Sequence, residues 1–245
     1  MKPNFDLRLR SLALGVLLVT TLGGIGAARG ESWEAAFARM PLGTNVSELN
    51  RSNCVPLLLR AFLRNKAVKG LVFMPGATDE FYFFRRAHAK LGMTEPTLLD
   101  AITALTNQTY IQAEFYPPFL LLHSVEDPLQ PLIEVSDAKL AAKLRQKRFG
   151  KRILYNDRQW DYLNRELAIR FNRTVLPERG DQESFHFYRH SLAGYDLTCW
   201  EALEALSLAG KTTVTLEKRG IVFRGDPRFG EKPKMDHFPY EIMPK

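Results

Sequence analysis

An α+β fold assembled from two similar halves is what this sequence predicts. Three observations carry that expectation. Amphipathic helical stretches alternate along the chain with short apolar runs of strand character. A helical phrase, Asp100-Ala101-Ile102-Thr103-Ala104-Leu105, returns as Glu201-Ala202-Leu203-Glu204-Ala205-Leu206. Its surroundings return too: Phe81-Tyr82-Phe83-Phe84-Arg85 is answered by Phe185-His186-Phe187-Tyr188-Arg189, and Phe119-Leu120-Leu121-Leu122 by Ile221-Val222-Phe223-Arg224. The offsets drift between blocks, as loops of unequal length between repeated units would make them. The expected architecture is two tandem small sandwiches, each with two helices packed on a small mixed sheet. One larger mixed sheet shared by both halves is the alternative arrangement.

The N-terminus reads as an address. Lys2, Arg8 and Arg10 precede the uncharged apolar stretch 11–26, and Gly26-Ala27-Ala28 supplies small residues for cleavage, with Ala28-Arg29-Gly30 as a second choice. The expectation is a signal peptide over 1–28 and a periplasmic or secreted product, with membrane attachment only where that segment is uncleaved. The net charge is +7, and removal of 1–28 takes away three bases and one acid. A mild surplus without a long basic block reads first as a solvated surface, and nucleic acid is not the partner expected of an exported chain. The surplus allows contact with anionic lipid, cell-wall polymer or lipopolysaccharide. An exporting route would permit a disulfide between the two cysteines, Cys54 and Cys199, and two buried free thiols fit the sequence equally well.

Taken in order, residues 29–43 form a short helix and linker, with Trp33, Ala36, Phe37 and Met40 at helical spacing before Pro41. The first repeat, 44–127, opens with Ser52-Asn53 as a cap and Val55, Leu58, Leu59 and Phe62 as an apolar stripe. Leu71–Met74 reads as a buried strand ended by Pro75-Gly76, and Phe81–Arg85 as an aromatic strand. Pro96-Thr97 opens a second helix with Leu98, Ala101, Ile102 and Leu105 on one face. Thr109–Phe115 and Phe119–His123 are strands around Pro117-Pro118.

Residues 128–149 read as a basic connecting helix, capped by Ser136 and ending with its bases before Gly150. The second repeat, 150–226, begins with strand Ile153-Leu154-Tyr155. Asn156 or Asp157 then caps a helix carrying Trp160, Leu163, Leu167 and Phe171. A strand at Thr174–Leu176 is expected to pair with Phe185–Arg189. The helix marked by Trp200, Leu203 and Leu206 is closed by Gly210, and a hairpin turns at Lys218-Arg219. Residues 227–245 form a Pro-rich tail.

The run Asp196-Leu197-Thr198-Cys199-Trp200-Glu201-Ala202-Leu203-Glu204-Ala205-Leu206, followed by a strand pair ending Gly220-Ile221-Val222-Phe223, resembles the second half of the secretin and TonB N-terminal short domain. The segment Tyr155–Leu176 resembles its first half, and 45–123 resembles the whole module more loosely. The resemblance implies a periplasmic docking module with a protein partner and no catalytic residues. The chain departs from the family in carrying two such modules and no channel or barrel segment downstream of them.

Chemical motifs were sought and give little. His186 and His190 lack a third metal ligand at a suitable spacing, and neither G-x-S-x-G nor a phosphate-cradling glycine loop occurs. The expectation is therefore no catalytic residue, no metal and no cofactor. Alternation on the aromatic strands turns Tyr82, Phe84, His186 and Tyr188 away from the expected core. They form the candidate surface for a protein partner. The sequence thus points to an exported, non-enzymatic interaction module of the bacterial cell envelope, as an adaptor for a secretin- or TonB-type system. Two alternatives stand beside it: an envelope protein that binds an anionic polymer, and an enzyme with a site between the repeats near His123, His186 or Cys199.

Overall fold

The computed structural model describes residues 32–43, 45–50, 52–64, 68–74, 88–109, 111–124, 130–177 and 189–225. Six helices are described: α1 (Trp33–Phe37), α2 (Cys54–Phe62), α3 (Leu98–Gln108), α4 (Ala138–Gln146), α5 (Trp160–Phe171) and α6 (Cys199–Gly210). The strands are β1 (Glu48–Leu49), β2 (Gly70–Phe73), β3 (Ala89–Lys90), β4 (Ile111–Tyr116), β5 (Phe119–Ser124) and β6 (Ile133–Val135). They continue as β7 (Arg148–Gln159), β8 (Val175–Pro177), β9 (Arg189–Thr198), β10 (Thr212–Glu217) and β11 (Gly220–Gly225). The fold is α+β, with mixed sheets covered by helices.

The two halves build the same three-strand unit. β4 and β5 form an antiparallel hairpin, and β2 runs parallel beside β5. β10 and β11 likewise form a hairpin, and β8 runs parallel beside β11. The helices that lead into the hairpins start identically. Thr97 Oγ1 accepts from the Asp100 N–H at 3.2 Å, and an Asp100 carboxylate oxygen accepts from the Thr97 N–H at 2.8 Å. Thr198 and Glu201 make the same reciprocal pair at 3.1 and 2.8 Å. Each box satisfies two backbone donors that a helix start leaves unpartnered.

The halves do not close as separate sandwiches; the shared sheet is the arrangement formed. β2 pairs antiparallel with β9, so the larger sheet runs β4-β5-β2-β9-β7. The reason lies in β2 itself. Leu71, Val72 and Phe73 are all buried, and a short strand apolar on both faces belongs at a sheet centre, with partners on both sides. Alternation then divides its side chains. Leu71 and Phe73, with Leu120, Leu122 and Ala193, pack under α1, α2 and α3. Val72 and Met74, with Phe119, Leu121 and Leu192, join the core that contains α4, α5 and α6. The second sheet, ordered β6-β10-β11-β8, closes that core from the far side.

Helix α6 lies between the two sheets, against β2 and β9 on one side and β10 on the other. It is therefore buried all round from Ala205 to Gly210. Residues 32–245 form a compact unit of their own.

Several local expectations are corrected. Asp137, not Ser136, caps α4, accepting from the Leu140 N–H at 3.0 Å. β7 begins at Arg148 and continues through Asn156 and Asp157 to Gln159, so α5 starts at Trp160 without a side-chain cap. Ladder pairs such as Leu154↔Ala193 and Arg158↔His190 override the capping tendency there, and Asp157 (φ 54°) is absorbed at an irregularity of the ladder. β8 pairs parallel with β11, and the expected partner strand at 185–188 lies outside the described residues. α6 ends at Gly210, and the left-handed residue after it is Lys211. The signal segment 1–28, the tail 227–245 and the aromatic strand at Phe81–Arg85 lie outside the described residues.

Candidate functional site

Helix α5 organises the site. Its buried face carries Trp160, Leu163, Leu167 and Phe171, at the spacing of one helical stripe. Its opposite face carries Tyr162, Arg165 and Ile169, all exposed. The helix ends at Asn172, whose left-handed conformation (φ 53°, ψ 48°) lets its N–H reach the Ala168 and Ile169 carbonyls. The next N–H, of Arg173, also bonds to Ala168, at 3.1 Å. This tight closure turns the chain into β8 and fixes Arg173 and Thr174 beside the helix end.

The tip of the β10–β11 hairpin comes to the same place. The Ile221 N–H donates to the Thr174 carbonyl at 2.9 Å. Gly220 makes the approach feasible: its φ is +156°, and a Cβ there would lie 2.3 Å from the Thr174 oxygen. Only glycine combines that backbone conformation with that contact. Lys218 and Arg219 are thereby held against the end of α5.

The result is an open groove of about 620 Å³ lined by Arg165, Arg173, Lys218 and Arg219, with Asn164, Asn172 and Thr174 between them. Among the described residues no carboxylate lines it. Arg219 donates to Glu217 at 2.5 Å. The side chains of Arg165, Arg173 and Lys218 make no hydrogen bond or ion pair among the described residues. Arg170, on the same helix, behaves differently: it bonds to Glu166 at 2.7 Å and to the Phe149 carbonyl at 3.3 Å. Its charge is engaged inside the fold, whereas Arg165, Arg173 and Lys218 are exposed. Convergent cations without counter-charges repel one another, and an anion placed among them relieves that repulsion. A second hollow, about 460 Å³, lies at the other end of α5 between Tyr162 and the β7 segment Asn156–Gln159.

The residues singled out from sequence fall elsewhere. Tyr82, Phe84, His186 and Tyr188 lie outside the described residues. His123 is buried in β5, with Glu114 Oε2 4.0 Å from its Nε2. Cys54 and Cys199 are free and buried, Cys54 in the core under α1–α3 and Cys199 in the core between the sheets. The disulfide alternative is thus closed. Burial pushes the Cys54 thiol up to about 12 and the Cys199 thiol upward as well, which keeps both in the unreactive protonated form near neutral pH. Among the described residues no group of three or more His, Cys, Asp and Glu side chains could hold a metal ion.

Sequence reasoning passed over the groove because its cations come from two stretches, 165–173 and 218–219, that only folding brings together. One local signal existed. Tyr162 and Ile169 are apolar residues off the Trp160–Leu163–Leu167–Phe171 stripe, so the helix had to expose them or bury them against something further.

Comparison of the chain with protein-family models, with curated proteins and with solved structures returns no match.

Proposed function

We propose that this protein is an exported cell-envelope binding module whose ligand is anionic and sits in the groove between α5 and the β10–β11 tip. This is the anionic-polymer alternative of the sequence reading. The observation that carries it is the convergence of Arg165, Arg173 and Lys218 in one groove, with no partner and no lining carboxylate among the described residues. Three exposed cations converging on one groove match a ligand with repeated phosphate or carboxylate charges better than a single small anion. The export route rests on the N-terminal pattern of 1–28. The adaptor role implied by the secretin and TonB resemblance rests on Tyr82, Phe84, His186 and Tyr188 as read from the sequence, and adds no weight to the groove.

The test is binding of inorganic polyphosphate to residues 32–245, followed by titration calorimetry across salt. Screening shortens the reach of charge from about 10 Å at 0.1 M to about 3 Å at 1 M salt. Affinity should fall by roughly tenfold or more over that range. The triple variant Arg165→Gln, Arg173→Gln, Lys218→Gln should lose most of the binding and most of its salt dependence. Salt-insensitive binding, or a triple variant that binds like the parent chain, would overturn the assignment.

A further inference from the structure

Two apolar side chains beside the groove are exposed far beyond the rest. Ile169 is 80% exposed and Tyr162 69%, while no other exposed large hydrophobic residue among those described exceeds 46%. They lie seven residues apart on α5, within about 20° of each other around the helix at 100° per residue, and Arg165 lies about 60° to one side. Arg173, Lys218 and Arg219 stand at the C-terminal end of the same strip. The strip thus pairs two water-exposed apolar groups with four cations. A polyanion dissolved in water would engage the cations and leave Ile169 without a partner. A bilayer surface rich in anionic phospholipid takes both, with phosphates on the guanidinium and ammonium groups and the apolar side chains at the headgroup–acyl boundary. Tyrosine, apolar in body and polar at its tip, suits that boundary.

We infer that α5 is a membrane-facing element: the protein docks peripherally on an anionic phospholipid surface through Tyr162, Arg165, Ile169 and Arg173, assisted by Lys218 and Arg219. This rests on the anionic-ligand reading of the groove and specifies its ligand class. α5 lies along the surface rather than across it, and no described helix is long and apolar enough to cross a membrane.

The experiment uses residues 32–245, which form a compact unit, so that the apolar stretch 11–26 adds no affinity of its own. Co-sedimentation is measured with vesicles of phosphatidylglycerol and phosphatidylcholine, and with phosphatidylcholine alone, alongside binding of soluble polyphosphate. The parent chain should partition to the mixed vesicles and not to the neutral ones. Ile169→Ser should weaken vesicle partitioning roughly tenfold and leave polyphosphate affinity and thermal stability unchanged, since the residue is 80% exposed and does not line the groove. Arg165→Gln should weaken vesicle binding about fivefold and polyphosphate binding as well. If polyphosphate binds but the mixed vesicles do not, or if Ile169→Ser sediments like the parent chain, the lipid assignment falls and the anionic-ligand reading survives. If neither probe binds, both fall.

Discussion

His190 shows how one residue can make stability depend on pH. It is fully buried on β9, 6.0 Å from the Trp160 ring. Gly210 makes room for it: a Cβ there would lie 2.3 Å from His190 Nε2. Burial pushes the imidazole down to about 4, and a contact with the Arg158 backbone opposes this only in part. The folded state therefore holds the neutral ring, while the unfolded chain takes up a proton at about 6.5. Stability should be complete above about pH 6.5 and should fall as the pH drops toward 4, by roughly 3 kcal/mol from this residue. Urea unfolding across that window measures the loss. His190→Leu should remove about one proton from the pH slope, and an unchanged slope would show that the carboxylates carry all of it. Glu201 acts in the same direction at lower pH. Burial raises its pKa, but the hydrogen bond from Lys69 and those at Thr198 outweigh it and hold the carboxyl below its usual range. The stability it contributes is lost as pH falls through that depressed value.

At the scale of elements, the duplicated helix start is the feature most directly written in the chain. Thr-x-x-acidic before an apolar run specifies a capping box, and both copies form one. Thr97→Ala and Thr198→Ala should each cost about 1 kcal/mol, read as a lower denaturant midpoint at constant slope. The Thr198 change should cost the more of the two, because Glu201 also binds Lys69 at 2.6 Å and ties α6 to the residue before β2. Equal effects would mean that this tie contributes nothing. The stripes of α2, α3 and α5, and the two hairpins, were equally legible, since each depends on spacing within one short segment. The starts of α4 and α5 were not. The strand that runs through Asn156 and Asp157 is held by pairing with β9, and a local cap cannot compete with a ladder supplied from elsewhere.

For the whole molecule, the join between β2 and β9 is decisive. It ties the first half to the second through a strand buried on both faces, with Leu71 in one core and Val72 in the other. Unfolding of residues 32–245 should therefore be a single calorimetric transition, with calorimetric and van't Hoff enthalpies in agreement. Leu71→Ala should lower the temperature of that one transition, at a cost of about 2–5 kcal/mol, rather than release one half alone. Two resolved transitions would indicate halves that fold separately.

Composition, periodicity and the echo at Asp100 and Glu201 determined the α+β class, most of the elements and the repetition of one supersecondary unit, because these follow from side chains close together in sequence. The tertiary structure alone decided that β9, paired with β7 on one edge, takes β2 of the first half on the other, that both cysteines are sealed in separate cores, and that Arg165, Arg173 and Lys218 share a groove. Those outcomes depend on which distant strands each exchange water for a partner, and on where a left-handed turn at Asn172 and a glycine at 220 bring two surface segments together. No single stretch of the chain encodes them.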